Sequence, residues 1–242
     1  MYIIFYSILF ILILYIMNKY IQIIIGFLLA DIITGGFHWF DDNYLDYCTN
    51  IPFLKQIAKD NELHHYFPRS IIGYSYLENI TLTLPSIIIL LLIVYLIDKN
   101  LLYQYPYLFI TFSLFSLTSN IIHKFSHMRD CEKSNILLYI NKTGFLCSHK
   151  HHGEHHTNPS EKYCVISEYS NYILDYIGFW RGLEYIIYIT TGIKPHTKQS
   201  YQDYNEIFTY LHENAKLECP DTPTKKDIKM LEENLRVYKK CV

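Results

Sequence analysis

The chain has 242 residues, half of them hydrophobic, including 24 tyrosines, and a formal net charge of −2. That length suits one or two domains, and the balance of charge excludes the basic footprint of a nucleic-acid-binding protein. Six cysteines (Cys48, Cys131, Cys147, Cys164, Cys219, Cys241) form no CxxC pair and no regular framework, so reduced thiols facing a cytosol-like compartment are expected.

In chain order, the first elements are apolar. Residues 2–17, 21–37, 82–97 and 107–122 are each close to the lower limit of about 17 to 25 residues that crosses a bilayer core. The expected fold is all-α: a polytopic membrane protein with about four transmembrane helices in two hairpins and a cytosolic helical cap. Asn18, Lys19 and Tyr20 would turn the first hairpin; Asp98, Lys99 and Asn100 would turn the second. The first stretch has neither the basic start nor the small-residue cleavage site of a secretory signal, so it reads as a retained span. Four crossings put both termini on one side. The short loops opposite carry only Lys19 and Lys99, whereas Lys55, Lys59, Arg69, Lys124 and Arg129 lie on the side of the termini, which the positive-inside tendency makes cytosolic.

Residues 173–189 are interrupted by Asp175, Arg181 and Glu184, each unfavourable by about 2.5 to 3.5 kcal/mol at a bilayer centre. Apolar Ile173, Ile177, Trp180 and Ile187 recur near helical period, which predicts an interfacial amphipathic helix or a helix of the cap. The expected organisation is a membrane-embedded domain over residues 1–195 and a polar cytosolic tail over 196–242. Within the tail, Thr224 and Asp227 have capping-box spacing ahead of Ile228, Leu231, Leu235 and Tyr238. Lys239 and Lys240 near the end resemble a cytosolic dilysine retrieval signal.

Ten of the twelve histidines fall in four clusters: His38, then His64 and His65, then His123 and His127, then five between His149 and His156. Neutral imidazole is a common metal ligand, and residues three or four apart share a helix face, as His123 with His127 and His152 with His155 and His156 do. About eight convergent imidazoles exceed the three or four protein ligands of one zinc-like ion, so two metals fit better. All four clusters fall on one side of the expected topology, which a random scatter would not do.

The residues also match a family pattern. Ala30, Asp31, Gly35, His38, Trp39 and Asp42 resemble the opening signature of the lipid desaturase domain found in plasmanylethanolamine desaturases, the Kua family, and in plant phosphatidylglycerol desaturases. Glu62, His64, His65 and Pro68 resemble its Glu-His-His-x-x-Pro box with Leu63 inserted, and Glu78 with Asn79 its Glu-x-Asn. His123, Lys124, Ser126 and His127 resemble His-Lys-Trp-Ser-His, with Phe125 for Trp. His151, His152, His155, His156, Pro159, Tyr163, Cys164 and Asn171 resemble the final box and its sequel. The likeness runs from about Gly26 to Pro195.

The resemblance implies a membrane oxidoreductase with two non-haem iron ions, O2 as oxidant and cytochrome b5 or an equivalent as electron donor, and the dilysine end makes the endoplasmic-reticulum membrane its expected location. It would convert a 1-O-alkyl ether phospholipid to its vinyl-ether (plasmalogen) form. The implied iron ligands are His38, His64, His65, His123, His127, His152, His155 and His156; the H-x-x-H-H spacing leaves His151 aside. Asp42, four residues after His38, would orient that imidazole or ligate directly, and Asp31 would share its helix face. An acid inside a span points to function, a helix-packing hydrogen bond being the alternative. A fatty-acyl desaturase or a lipid hydroxylase would use the same boxes. A membrane zinc protease is disfavoured because no H-E-x-x-H occurs, and a metal transporter because nearly all candidate ligands lie at or beyond span ends.

Overall fold

The computed structural model describes residues 2–196, 201–215, 217 and 222–239, with side chains from Asn18 onward except Phe53 and residues 201–203. Among the described residues every regular element is helical. In chain order these are α1 (Tyr2–Tyr44), α2 (Pro52–Tyr66), α3 (Tyr76–Asp98), α4 (Asn100–Gln104), α5 (Pro106–His127), α6 (Asn135–Lys142), α7 (His149–Thr157), α8 (Tyr169–Tyr176), α9 (Phe179–Thr191), α10 (Tyr201–Asn214) and α11 (Lys225–Tyr238). A 3-10 turn, Pro68–Gly73, joins α2 to α3.

Among the described residues three helices are long and apolar enough to cross a membrane: Asn18–Tyr44 of α1, α3 and α5. The expected second hairpin is present as α3, the short α4 and α5. The first is not: one unbroken helix runs through Asn18, Lys19 and Tyr20. No glycine or proline interrupts that stretch, and its polar groups are used within the fold. Gln22 donates to Asn18 Oδ1 (3.0 Å), and its own carbonyl accepts the Tyr107 N–H at the start of α5 (3.2 Å). A turn there would release a helical backbone into lipid, where nothing else satisfies it. The two spans 2–17 and 21–37 therefore merge. The argument that placed both termini on one side falls with the first hairpin, because the start of α1 lies at the opposite end of the helix from His38.

The spanning helices are held by close backbone approach and polar ties. At Gly26 a Cβ would collide with the Leu108 carbonyl, so glycine lets α1 pack directly on α5. Thr83 of α3 donates to the Leu117 carbonyl of α5 (3.1 Å). Phe27, Ala30, Phe112, Ile122 and Ile166 form the core between α1 and α5.

Apart from α4, which joins the end of α3 to the start of α5, the other elements gather at one end, over the C-terminal ends of α1 and α5 and the start of α3. The expected amphipathic helix at 173–189 is two helices, α8 and α9, broken at Gly178 in the left-handed region (φ 66°). Trp180 turns inward with Trp39, Tyr163, Cys164 and Leu174, while Ile173, Tyr176, Ile177, Ile186 and Ile189 stay exposed. The interrupting charges are paired: Arg181 with Glu184 (2.6 Å), and Asp175 with the Lys162 N–H. The predicted capping box at Thr224 and Asp227 forms, and α10 and α11 pack on α2. The expectation of reduced thiols fails at Cys48, which is disulfide-bonded; among the described residues Cys131, Cys147 and Cys164 are free. Lys240 and the last two residues also lie outside the described residues, and Lys239 pairs with Glu62. Asn79 and Asn141, which begin glycosylation sequons, are buried and donate to backbone carbonyls.

Candidate metal centre

Four helices deliver the histidines. His38 comes from α1, His64 and His65 from α2, His123 and His127 from successive turns of α5, and His152, His155 and His156 from α7. Ser148 caps α7 by accepting the His151 N–H (3.2 Å), which starts the helix where its histidines must face α5.

The eight histidines and Asp42 divide into two groups. In the first, His64, His123, His127, His152 and His156 bring their ring nitrogens within 4.8 Å of one another. The Nε2 atoms of His123 and His152 stand 2.8 Å apart, and those of His64 and His127 each lie 3.2 Å from His123. In the second, His38, His65 and His155 surround Asp42: His65 Nε2 lies 3.0 Å from Oδ1 and His155 Nε2 3.3 Å from Oδ2. The groups adjoin, with ring centroids of His65 and His156 at 5.0 Å and of His38 and His123 at 5.6 Å.

Two observations test whether a cation fits. A neutral imidazole has one donor and one acceptor nitrogen, so five such nitrogens facing one point cannot all satisfy one another, whereas a divalent ion can accept every lone pair. In the second group the buried His38 Nε2 has no hydrogen bond, and the carboxylate beside it offers the charge that a cation would match. Burial and neighbouring imidazoles hold His64, His152 and His156 well below the ordinary histidine range, which keeps them neutral and ready to ligate. The donor set fits two transition-metal ions.

Surrounding groups aim the rings. His38 Nδ1 donates to the Tyr163 carbonyl (3.0 Å) and His155 Nδ1 to the Glu161 carbonyl (2.7 Å), so each presents Nε2 to its group. Asp31 joins neither group. It accepts the Ile166 and Ser167 N–H groups (3.0 and 3.2 Å) and the Ser167 hydroxyl (2.6 Å), and so fixes the strap, residues 163–167, that carries Tyr163. Asn171 holds both backbone groups of Cys164 and contacts His151 Nε2 (3.1 Å). His151 lies outside both groups, as do Glu62, paired with Lys239, and Glu154, paired with Lys162. His149, His196 and His212 are exposed, and His149 donates to the Ser126 carbonyl (2.8 Å). Arg69 also bonds the His127 carbonyl (3.0 Å), at the end of α5. The orienting backbone carbonyls had no sequence signature. A cavity of about 400 Å³, apolar along Ile33, Phe37, Leu82, Ile87 and Leu90, runs between the spanning helices and reaches His38, His64 and His123.

Residues 27–198 match the lipid desaturase domain. The chain belongs to this family. Among relatives of this lipid desaturase family member, a probable fatty acid desaturase of Acanthamoeba polyphaga mimivirus is 33% identical over 196 residues, covering 76% of this chain and 90% of the viral one. Mouse plasmanylethanolamine desaturase 1 is 31% identical over 182 residues (72% and 66%). Chloroplastic fatty acid desaturase 4-like 2 of Arabidopsis thaliana is 27% identical over 172 residues (70% and 60%). No solved structure matches. The matched segment contains every residue of both histidine groups and ends before α10 and α11.

Proposed function

We propose that this lipid desaturase family member uses O2 and two irons to convert a 1-O-alkyl ether phospholipid to its 1-O-alk-1'-enyl form. The observation that carries this reading is the pair of adjoining histidine groups at the head of an apolar cavity between membrane spans. The balance is alkyl ether + O2 + two electrons + two protons → vinyl ether + two waters. Two bound irons would supply, with O2, an oxidant for an unactivated C–H bond, which no side chain provides. Zinc, having no redox chemistry, would not.

The chain's own residues supply position and dryness. Ile33, Phe37, Leu82 and Leu90 would grip the alkyl chain beside His38 and His123, and apolar walls keep water from the reacting carbon. The bond next to the ether oxygen lies near the head group, and the histidines lie at span ends, so the reacting carbons need not travel deep into the bilayer. We further propose cytochrome b5 or an equivalent as electron donor, and an endoplasmic-reticulum membrane with the histidines on its cytosolic face. Lys55, Lys59, Arg69 and Arg129 at that end support the orientation.

The viral and plant relatives, named as fatty acid desaturases, favour a second reading in which the chain desaturates an acyl group. Lipid mass spectrometry separates the two. Cells lacking plasmanylethanolamine desaturase would express this chain or its His127→Ala form and be fed an alkyl-ether lipid. Acid-labile vinyl ether that depends on His127 is the expected result. A new acyl double bond without vinyl ether would establish the second reading, and a hydroxylated lipid would refute desaturation.

A further inference from the structure

The α2 helix carries one ligand candidate for each group, His64 and His65, on consecutive residues. Successive helical residues point about 100° apart, so a small roll of α2 would withdraw both imidazoles together. The structure shows what opposes that roll. Leu63, Tyr66 and Phe67, the largest buried apolar side chains of this segment, all pack in one cluster with Ile207, Leu211, Ile228, Leu231 and Leu235 of α10 and α11. The opposite side of α2 faces the ligand groups, where Asn61 donates to Asp42 (2.7 Å). Polar ties surround the apolar contact: Tyr204 donates to the His65 carbonyl (3.3 Å), Tyr47 to the Glu232 carbonyl (2.6 Å), and Lys239 pairs with Glu62. Leu63, the residue inserted into the Glu-His-His box, is 1% exposed in that cluster.

We propose that the C-terminal helix pair, which lies beyond the matched family segment, is a clamp that sets the rotation of α2 and thereby places His64 in one group and His65 in the other. Leu63 is its wedge, and Leu231 and Tyr204 are its positioning residues. The clamp reaches the cavity as well, since Ile228 of α11 lines it. This inference rests on the reading that the two groups hold metal.

The test uses full-length protein, Co(II) as the probe and a competing chelator, with the melting temperature of each apo-variant measured in parallel. Wild type is expected to hold two equivalents. Leu231→Ala should release both about 10-fold faster, Tyr204→Phe about threefold, and the volume-conserving Leu231→Met at the wild-type rate. Phe27→Leu, in the separate core between α1 and α5, gives a fold-stability control and should leave release unchanged at a comparable melting penalty. His155→Ala should lose a single equivalent, which distinguishes a lost ligand from a displaced helix. Unaltered release in Leu231→Ala, or equally fast release in Phe27→Leu, would overturn the clamp. If Leu231→Ala does not fold, wild-type release in Tyr204→Phe has the same force. A wild-type protein that binds no Co(II) would overturn the metal reading itself, and the clamp with it.

Discussion

Gly35→Ala tests how closely the strap over His38 is fitted to α1. Gly35 lies one helical turn before His38, and a Cβ there would stand 2.7 Å from Cys164 Sγ, 3.0 Å from Cys164 Cα and 3.2 Å from Cys164 N. Ordinary contact begins near 3.4 Å, so rotating the thiol away still leaves two backbone atoms too close. Neither atom moves freely, because Asn171 bonds both sides of Cys164 and Asp31 fixes Ile166 and Ser167 just beyond it. Overpacking of this kind is unfavourable by about 1–3 kcal/mol. The strap must retreat by several tenths of an ångström, carrying the Tyr163 carbonyl from His38 Nδ1, and about 1 Å of misplacement can lower a rate about 100-fold. The assay is lipid turnover alongside melting temperature in detergent. Gly36→Ala is the control: its Cβ meets nothing within 4 Å, and alanine raises helix propensity by about 1 kcal/mol. Wild-type melting and turnover in Gly35→Ala would refute the fit between strap and helix.

His152→Ala and His155→Ala, in different groups, should each lower bound metal by one equivalent; loss of the same single equivalent by both, in competition titrations, would show one site rather than two. Asp31→Asn should lower stability by about 2 kcal/mol, because its charge-assisted bonds to Ser167 become neutral ones, and a wild-type melting temperature would contradict that role. Burial and the neighbouring Glu232 push Asp60 up to about 7, so the folded state holds this proton where the unfolded chain has lost it. Stability should therefore fall as pH rises from about 4 to 7, by up to a few kcal/mol. Asp60→Asn should flatten that slope and raise the melting temperature at pH 7.5 more than at pH 5; an equal change at both would exclude the carboxylate as its source.

The ligand candidates were legible because spacing on a helix survives folding: His123 with His127, and His152 with His155 and His156, share faces in the sequence as they do in the structure. Their division between two groups was not, since His64 and His65 are neighbours in the chain and part only through the angle between successive residues. Asn18 and Lys19 read as a turn because polar residues among isoleucines suggest an exit from the bilayer. Tyr107, which bonds Gln22 and whose ring lies under the Lys19 ammonium, comes much later in the chain. The acid at Asp31 was visible, but its donors are the Ile166 N–H and the N–H and hydroxyl of Ser167, 135 and 136 residues away, where no local spacing marks them as its partners. The capping box at Thr224 was readable locally; that its helix would brace α2 depends on tertiary packing alone.

The α3 helix has only 6% of its most apolar window buried inside the protein. Its inward positions, Asn79, Thr83 and Ile87, meet α5 or the cavity, while Ile88, Ile89, Leu92, Ile93 and Leu96 face outward. Lipid tails impose oiliness without shape, so exchanges among isoleucine, leucine, valine and phenylalanine on that outer face should drift almost freely over generations. A genome with a strong nucleotide bias can spend that bias there, and the record of such drift would be densest on the outer side of α3 and thinnest on the side that looks toward the histidines.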